Sequence, residues 1–320
     1  MLLNYQDSSL FLSAFHYRLG GTRRSLEQMK AERLLAGSVE HLAAMGYQHN
    51  LGLSEDETLL TLATRALSPT LGEAGEPRAV VFQHCNAESA VLPCESGDTV
   101  GASRNRYFPA AVLRELRRDE LPYLCSFASG CAGFMSLLMT ATGLFTDTDE
   151  SPAVCVMADS RPPGVPFDLL RERILGTDHS SSFAVGRSRH GYQVLGVNFY
   201  STTRTLVPLV EIVKRTVQMI QDLATHLGQD LTARNVVIHY PNIFPDTWRM
   251  VTRYLRLRRV VAVIDEIAER AHCGATDSVI TLAKHHRGEE GRMHVVVNYG
   301  VGLHLGVCIL EEQNGATPCN

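Results

Sequence analysis

The chain has 320 residues, 45% of them hydrophobic and 20% charged, with a formal net charge of -4. That is enough apolar material for one large core or two joined ones, and the near-neutral balance gives no electrostatic reason to expect nucleic acid. No stretch reaches the ~18 uninterrupted apolar residues of a membrane span, and MLLNYQDSSLF lacks the basic-then-apolar order of a signal peptide, so a cytoplasmic location is expected.

In chain order, SLFLSAFHYRL reads as a strand and SLEQMKAERLLAG as a helix. LSEDETLLTLATRAL reads as an amphipathic helix opening on carboxylates. The short apolar runs AVVFQ (79–83) and AVCVMA (153–158) suit strands covered on both faces. Between them, residues 121–127 read as the end of a buried strand, and MSLLMTATGL (135–144) as a helix without a charge on any face. After the Pro/Gly-rich loop SRPPGVPFD (160–168) the alternation recurs. FAVGRS and GYQVLGVNFYS read as strands, LVPLVEIVKRTVQMIQDLATHLG as a long helix, and NVVIHY as a strand ending in His239. HVVVNYGVGLHLGVCIL reads as a terminal strand pair bending at glycines. The doubled order predicts two similar α/β halves, divided between Asp159 and Arg189 and assigned to residues 1–170 and 171–320. The basic cluster RYLRLRR (253–259) reads as a solvated helix face.

The eight cysteines form no C-x-x-C pair, so no zinc or other metal site is expected, and in the cytosol they would be mostly thiols. In CSFASGCAGF (125–134), Cys131 stands at a strand-to-helix junction, where backbone N–H groups point outward unpaired. It is either a nucleophile at the mouth of a buried helix or a small buried hydrophobe. His239 could equally be a satisfied strand-end histidine, and His272 and Cys273 could be loop residues ahead of a capping Gly274.

Taken together and in order, these segments resemble the ketoacyl-acyl-carrier-protein synthase III branch of the thiolase superfamily. ASGCAGF is similar to its nucleophile motif, VVIHYPNI to its strand-end histidine with an asparagine three residues on (His239, Asn242), and YGVGLHLG to its glycine-rich loop at Gly300, Gly302 and Gly306. The resemblance covers nearly the whole chain. It implies the five-layered α-β-α-β-α thiolase-like fold, with Cys131 taking an acyl group from an acyl-carrier-protein or coenzyme A thioester. The Cys131 amide and one from the Gly300–Gly302 turn would hold the oxyanion. No cofactor is implied. The family's two-fold dimers imply a homodimer, or a heterodimer with a homologous subunit, formed through AVVFQHCN and the residues after it.

The chain departs from the family in three places. Where the family has a catalytic asparagine, AHCGATDS offers His272 or Cys273 (272 − 239 = 33 residues after the histidine). Phe244 replaces an arginine facing the coenzyme A phosphates, and TDHSSSFAV (177–185) replaces a glycine-rich segment. These changes point to an acyltransferase of secondary metabolism, moving an acyl group onto an amine, hydroxyl or carbon nucleophile of a small-molecule acceptor. In it Cys131 is acylated and His239 or His272 is the base. A decarboxylative condensing enzyme is the second expectation. A non-catalytic partner subunit is the third, and the retained Cys131 and His239 argue against it.

Overall fold

The computed structural model describes residues 1–93, 105–127, 129–146, 150–169, 173–204, 207–264 and 266–313. After a short β1 (Leu2–Asn4), the strands of the large sheet fall into two sets. The first is β2 (Phe11–Leu19), β3 (Ala79–Gln83), β4 (Tyr123–Ser126), β5 (Ala153–Asp159) and β6 (His179–Gly186). The second is β7 (Tyr192–Ser201), β8 (Val236–His239), β9 (Val260–Val263), β10 (Met293–Gly300) and β11 (His304–Glu312). From its free edge the first set runs β4-β3-β5-β6-β2, and the second runs β9-β8-β10-β11-β7. Both follow the order third, second, fourth, fifth, first. In both, the second strand is parallel to its neighbours and the fifth is antiparallel to its own. The sets meet where Leu12 and Phe11 pair with Tyr192 and Gln193.

Helices α1 (Leu59–Ala74), α2 (Phe108–Glu115), α3 (Gly133–Thr142), α4 (Leu209–His226), α5 (Pro245–Leu255) and α6 (Thr276–His285) fill the layers. The strand alternation shows how. Val80 and Phe82 pack with α1 and α2 on one outer face, while Val81 packs inward on Phe134 and Leu138 of α3 and Val279 of α6. Likewise Val295 and Val297 face α4 and α5, and Val296 joins the central layer. Helices α3 and α6 therefore lie between two sheets, giving five layers. A helix covered on both sides has no face for charge, which accounts for MSLLMTATGL.

Two expected elements differ. Helix α1 starts at Leu59, capped by the Thr58 side chain, and has no acidic residue in its first turn. The carboxylates precede it, where Glu57 accepts from the backbone amides of Gly21 (2.7 Å) and Ser54 (3.1 Å). Strand β4 is an exposed edge, not a buried strand: Tyr123 is 40% exposed, Leu124 45% and the following Phe127 54%. The edge that presents apolar side chains is thus β4, whereas β3, containing AVVFQ, is paired on both sides. The boundary expected between residues 170 and 171 lies outside the described residues. Strand β6, beyond it, pairs with β2 and β5. No helix among the described residues is long and apolar enough to cross a membrane.

Candidate active site

Cys131 lies in a single turn of 3-10 helix, Gly130–Ala132, leading directly into α3. Three glycines make the turn possible. Gly130 has φ +50°. At Gly133 a Cβ would lie 1.9 Å from the Gln83 carboxamide, whose Nε2 donates to the Gly130 carbonyl (2.9 Å) and pins the turn to β3. At Gly300 a Cβ would lie 2.4 Å from the Ser129 carbonyl, so only glycine lets the loop after β10 lie against the cysteine turn.

The second half supplies a buried histidine. His272 is fixed by its backbone, donating to Leu175 O (2.9 Å) and accepting from Thr177 N (3.0 Å). Its Nδ1 lies 2.6 Å from Oδ2 of Asp277, in the first turn of α6. Asp277 also accepts from the Asn242 amide (2.9 Å), the Cys273 amide (3.2 Å) and the Arg270 guanidinium. Burial would raise this carboxyl, but Arg270 and His272 hold it well below the usual carboxylate range. Burial would likewise depress His272, yet Asp277 and Cys131 lift it from 6.5 to about 10. Nε2, the nitrogen not used by Asp277, has no hydrogen-bond partner within the described residues, although the charge of the ring interacts with Cys131.

The Cys131 thiol is held well below its ordinary 9.0, first by a hydrogen bond from the Cys85 thiol and then, against burial, by the His272 imidazolium. These shifts favour the thiolate of Cys131 and the imidazolium of His272, with the Asp277 carboxylate and the Arg270 guanidinium behind them. The arrangement has the logic of a nucleophile, a base and a group that orients the base.

The other expected site residues fall into two groups. Asn242 holds Asp277 through its amide and donates through Nδ2 to Ala271 O (3.0 Å). Phe244, with φ +47°, starts α5 and packs edge-on against Tyr299 beside the Gly300 loop (5.8 Å between centroids). By contrast, Cys273 faces away from Cys131. Its sulfur contacts Arg270 (3.3 Å), and burial pushes the thiol up to about 12. His239 also lies outside the cluster, with Nε2 2.9 Å from Nδ1 of His294, whose Nε2 is 2.9 Å from Glu312. The site residues unforeseen from sequence are Asp277, Arg270 and Cys85. Of these only Asp277 left a signal, a carboxylate five residues after His272 at a helix start.

No protein-family profile and no curated protein matches the chain. Solved structures do. ChlB3, described as an acyltransferase, superposes with a TM-score of 0.76 at 13% identity, covering 97% of this chain and 99% of that one. The 3-oxoacyl-[acyl-carrier-protein] synthase III of Aquifex aeolicus VF5 gives 0.70 at 15% identity, over 94% and 99%. AbyA1, a tetronic acid condensing enzyme, gives 0.71 at 14% identity, again over 94% and 99%. The fold is thiolase-like. Within a thiolase-like chain the cysteine turn and the His272–Asp277 segment are equivalent places, each at the start of the central helix of its own half.

Proposed function

We propose that the protein is a thioester-dependent acyltransferase with Cys131 as nucleophile. The observations that support this reading are Cys131 at the start of the buried helix α3 and the His272 imidazole, whose Nδ1 is oriented by the buried Asp277 carboxylate and whose charge interacts with Cys131. The Cys131 thiolate attacks the thioester carbonyl of an acyl-carrier-protein or coenzyme A donor. The oxyanion is held by the Cys131 amide and an amide of the Gly300–Gly302 turn. When the C–S bond of the donor breaks, the imidazolium of His272 protonates the departing thiolate. His272 is then neutral, and Cys131 carries no charge to keep the imidazole protonated. In the second half-reaction neutral His272 takes the proton of the acceptor's amine, hydroxyl or carbon acid. The acceptor displaces Cys131 as thiolate, and the starting ion pair is restored.

This reading assigns the base to His272 and gives Asn242 a positioning role through Asp277. His239 enters neither half-reaction, and Cys273 is packing. Phe244 narrows the approach beside Tyr299. Two thiolase-like halves, divided between Gly186 and Tyr192, contribute the nucleophile and the base respectively. We further propose a two-fold dimer across β4, with a second copy or a homologous subunit.

The acyltransferase and condensing neighbours support the reaction class, and both outcomes use the same first step. The test is to incubate the enzyme with a panel of acyl thioesters, read intact mass, remove excess donor and add acceptor. A mass gain that is lost in Cys131→Ala but kept in Cys125→Ala supports the nucleophile, since Cys125 lies on the exposed edge strand β4, outside the turn that leads into α3. Product without carbon dioxide supports acyl transfer. Carbon dioxide in step with product would establish decarboxylative condensation, and no acylation by any donor would leave only a non-catalytic subunit.

A further inference from the structure

Arg270 is enclosed behind the site, yet the reaction above gives it no step. Its side chain is 3% exposed. The guanidinium donates through Nη1 to Asp277 Oδ1, and the same nitrogen lies 3.3 Å from Cys273 Sγ. The Arg270 carbonyl accepts from Thr177 Oγ1 (2.7 Å), which ties the residue to the segment before β6. The two oxygens of Asp277 are divided between two basic groups. Oδ1 takes Arg270 and the Cys273 amide (3.2 Å), while Oδ2 takes His272 Nδ1 (2.6 Å) and the Asn242 amide (2.9 Å). Asp277 is 1% exposed and His272 4%. A guanidinium and an imidazole therefore share one carboxylate in a region closed to solvent, where an uncancelled charge is strongly disfavoured. Glu266 lies 3.7 Å from Arg270 Nε, but it is half-exposed and already paired with Lys284.

We infer that Arg270 is a positioning residue that cancels the charge of Asp277, so that His272 can stand beside that carboxylate as a neutral base. The inference rests on His272 being the base of the proposed reaction. With Arg270 in place, the guanidinium, the carboxylate and a neutral imidazole sum to zero, and a proton added to His272 leaves a buried positive charge. Without Arg270 the balance reverses: the sum is zero only when His272 is protonated, and a neutral imidazole leaves the carboxylate uncancelled. Asp277 alone would orient His272 and at the same time hold its proton in place. With both residues, Nδ1–H points at the carboxylate and Nε2, which has no partner among the described residues, keeps its lone pair. The other groups facing His272 are Cys131 on the cysteine turn and His179 on β6. Burial pushes His179 down to about 3, so it is neutral. Cys131 favours the imidazolium only while it is a thiolate. Once it is acylated, the Arg270–Asp277 pair decides the protonation of His272.

The test reads the imidazole itself and needs no turnover. It uses Cys131→Ala as the parent, because that variant removes the thiolate charge as acylation would. Histidine labelled with carbon-13 at Cε1 gives one NMR signal per ring, and His272 is assigned by its loss in His272→Gln. Its signal is followed against pH in the parent and after adding Arg270→Gln or Arg270→Lys. Arg270→Gln keeps a hydrogen-bond donor for Asp277 without the charge, and should make His272 about tenfold harder to deprotonate. Arg270→Lys keeps the charge and should restore the parent titration. An unmoved His272 in Arg270→Gln, or an equal rise in Arg270→Lys, overturns the inference. The double variant Arg270→Gln/Asp277→Asn leaves no unpaired buried ion and should return His272 to the parent value or below. A His272 still raised there overturns the inference whether or not Arg270→Gln alone folds. Acyl loading with Cys131 in place reports separately on the proposed reaction: the expected shifts in a protein that no thioester acylates would uphold the charge balance and reject the acyltransferase.

Discussion

Replacing His272 by alanine is expected to disarm Cys131 before any substrate is involved, and the size of the effect can be worked from the protein's own thiols. Cys131 is half-buried, and what lowers its pKa besides Cys85 is the imidazolium of His272. The thiols with no imidazolium beside them show where burial leads: it is the sole cause that drives Cys155 and Cys308 far above the ordinary thiol range, and the largest of those that push Cys125 up to about 11 and Cys273 to about 12. Without His272, Cys131 would move the same way, and only a small fraction of it would be thiolate near neutral pH. The more basic thiolate is intrinsically a better nucleophile, which recovers about half of that loss on a logarithmic scale. The net expectation is a roughly 10²-fold slower alkylation at neutral pH. The pH profile should change as well. Wild type should vary little across neutral pH, because its thiol is held below the ordinary range, whereas His272→Ala should gain about tenfold per pH unit as the pH rises into the alkaline range. The assay is iodoacetamide alkylation with the modified peptide identified by mass. A wild-type profile with a midpoint at the ordinary thiol value, unchanged by His272→Ala, would refute the ion pair. Both half-reactions should then slow in the variant, because His272 protonates the leaving thiolate in the first and accepts a proton in the second.

Leu124→Asp combined with Phe127→Asp should convert a dimer into a monomer by light scattering, since both side chains lie on the exposed apolar edge around β4; wild type already monomeric at micromolar concentration would reject that interface. Gly133→Ala should drive a Cβ into Gln83, destabilise the fold by about 1–3 kcal/mol and release the Gly130 carbonyl, lowering both melting temperature and Cys131 reactivity; an unchanged melting temperature would contradict the packing at that turn. His239 and His294 are held neutral, with pKa values below the ordinary 6.5, chiefly by burial. The unfolded chain therefore binds more protons, and their contribution to stability is full above 6.5 and falls as pH drops below it. Glu312 adds to the same trend: burial alone would raise it, but His294 holds it down to about 2, so its share is lost as pH falls from 4.5 toward that value. Urea unfolding should thus weaken between neutral pH and about pH 5, and less so in His239→Asn; equal slopes in the two proteins would remove the histidine cluster from the account.

Much of the fold was legible because both sheets are covered on both faces. AVVFQ, AVCVMA and MSLLMTATGL are apolar without alternation, as elements buried on every side must be, and the repeated order of strands and helices announced the duplication. The cysteine turn was legible for a different reason: its glycines are demanded by contacts, Gly133 by Gln83 and Gly300 by the Ser129 carbonyl. What sequence could not give was direction. His239 and His272 are both histidines at the ends of apolar or polar segments, and nothing local says which ring turns toward Cys131. The choice is made by partners distant in the chain, with His294 and Glu312 drawing one ring away and Leu175 and Thr177 fixing the backbone of the other. The edge strand was misread for a similar reason. YLCSF is as apolar as a buried strand, and only the sheet order shows that one side of it has no neighbour.

The duplication also explains why a site exists where it does. Each half places a central helix with its start at the seam, α3 after the Cys131 turn and α6 after the His272 segment. A helix start favours negative charge, and each one here carries it: the Cys131 thiolate at one, the Asp277 carboxylate at the other. Two anions facing each other would be unfavourable alone. The imidazolium of His272 lies between them and the guanidinium of Arg270 lies behind Asp277, so the charges alternate from one half to the other. Acylation of Cys131 removes the first charge in that row and leaves His272 between a neutral thioester and a carboxylate, with less to hold its proton. In the proposed reaction the proton would then go to the leaving thiolate, and the base needed for the second half-reaction would be produced by the first.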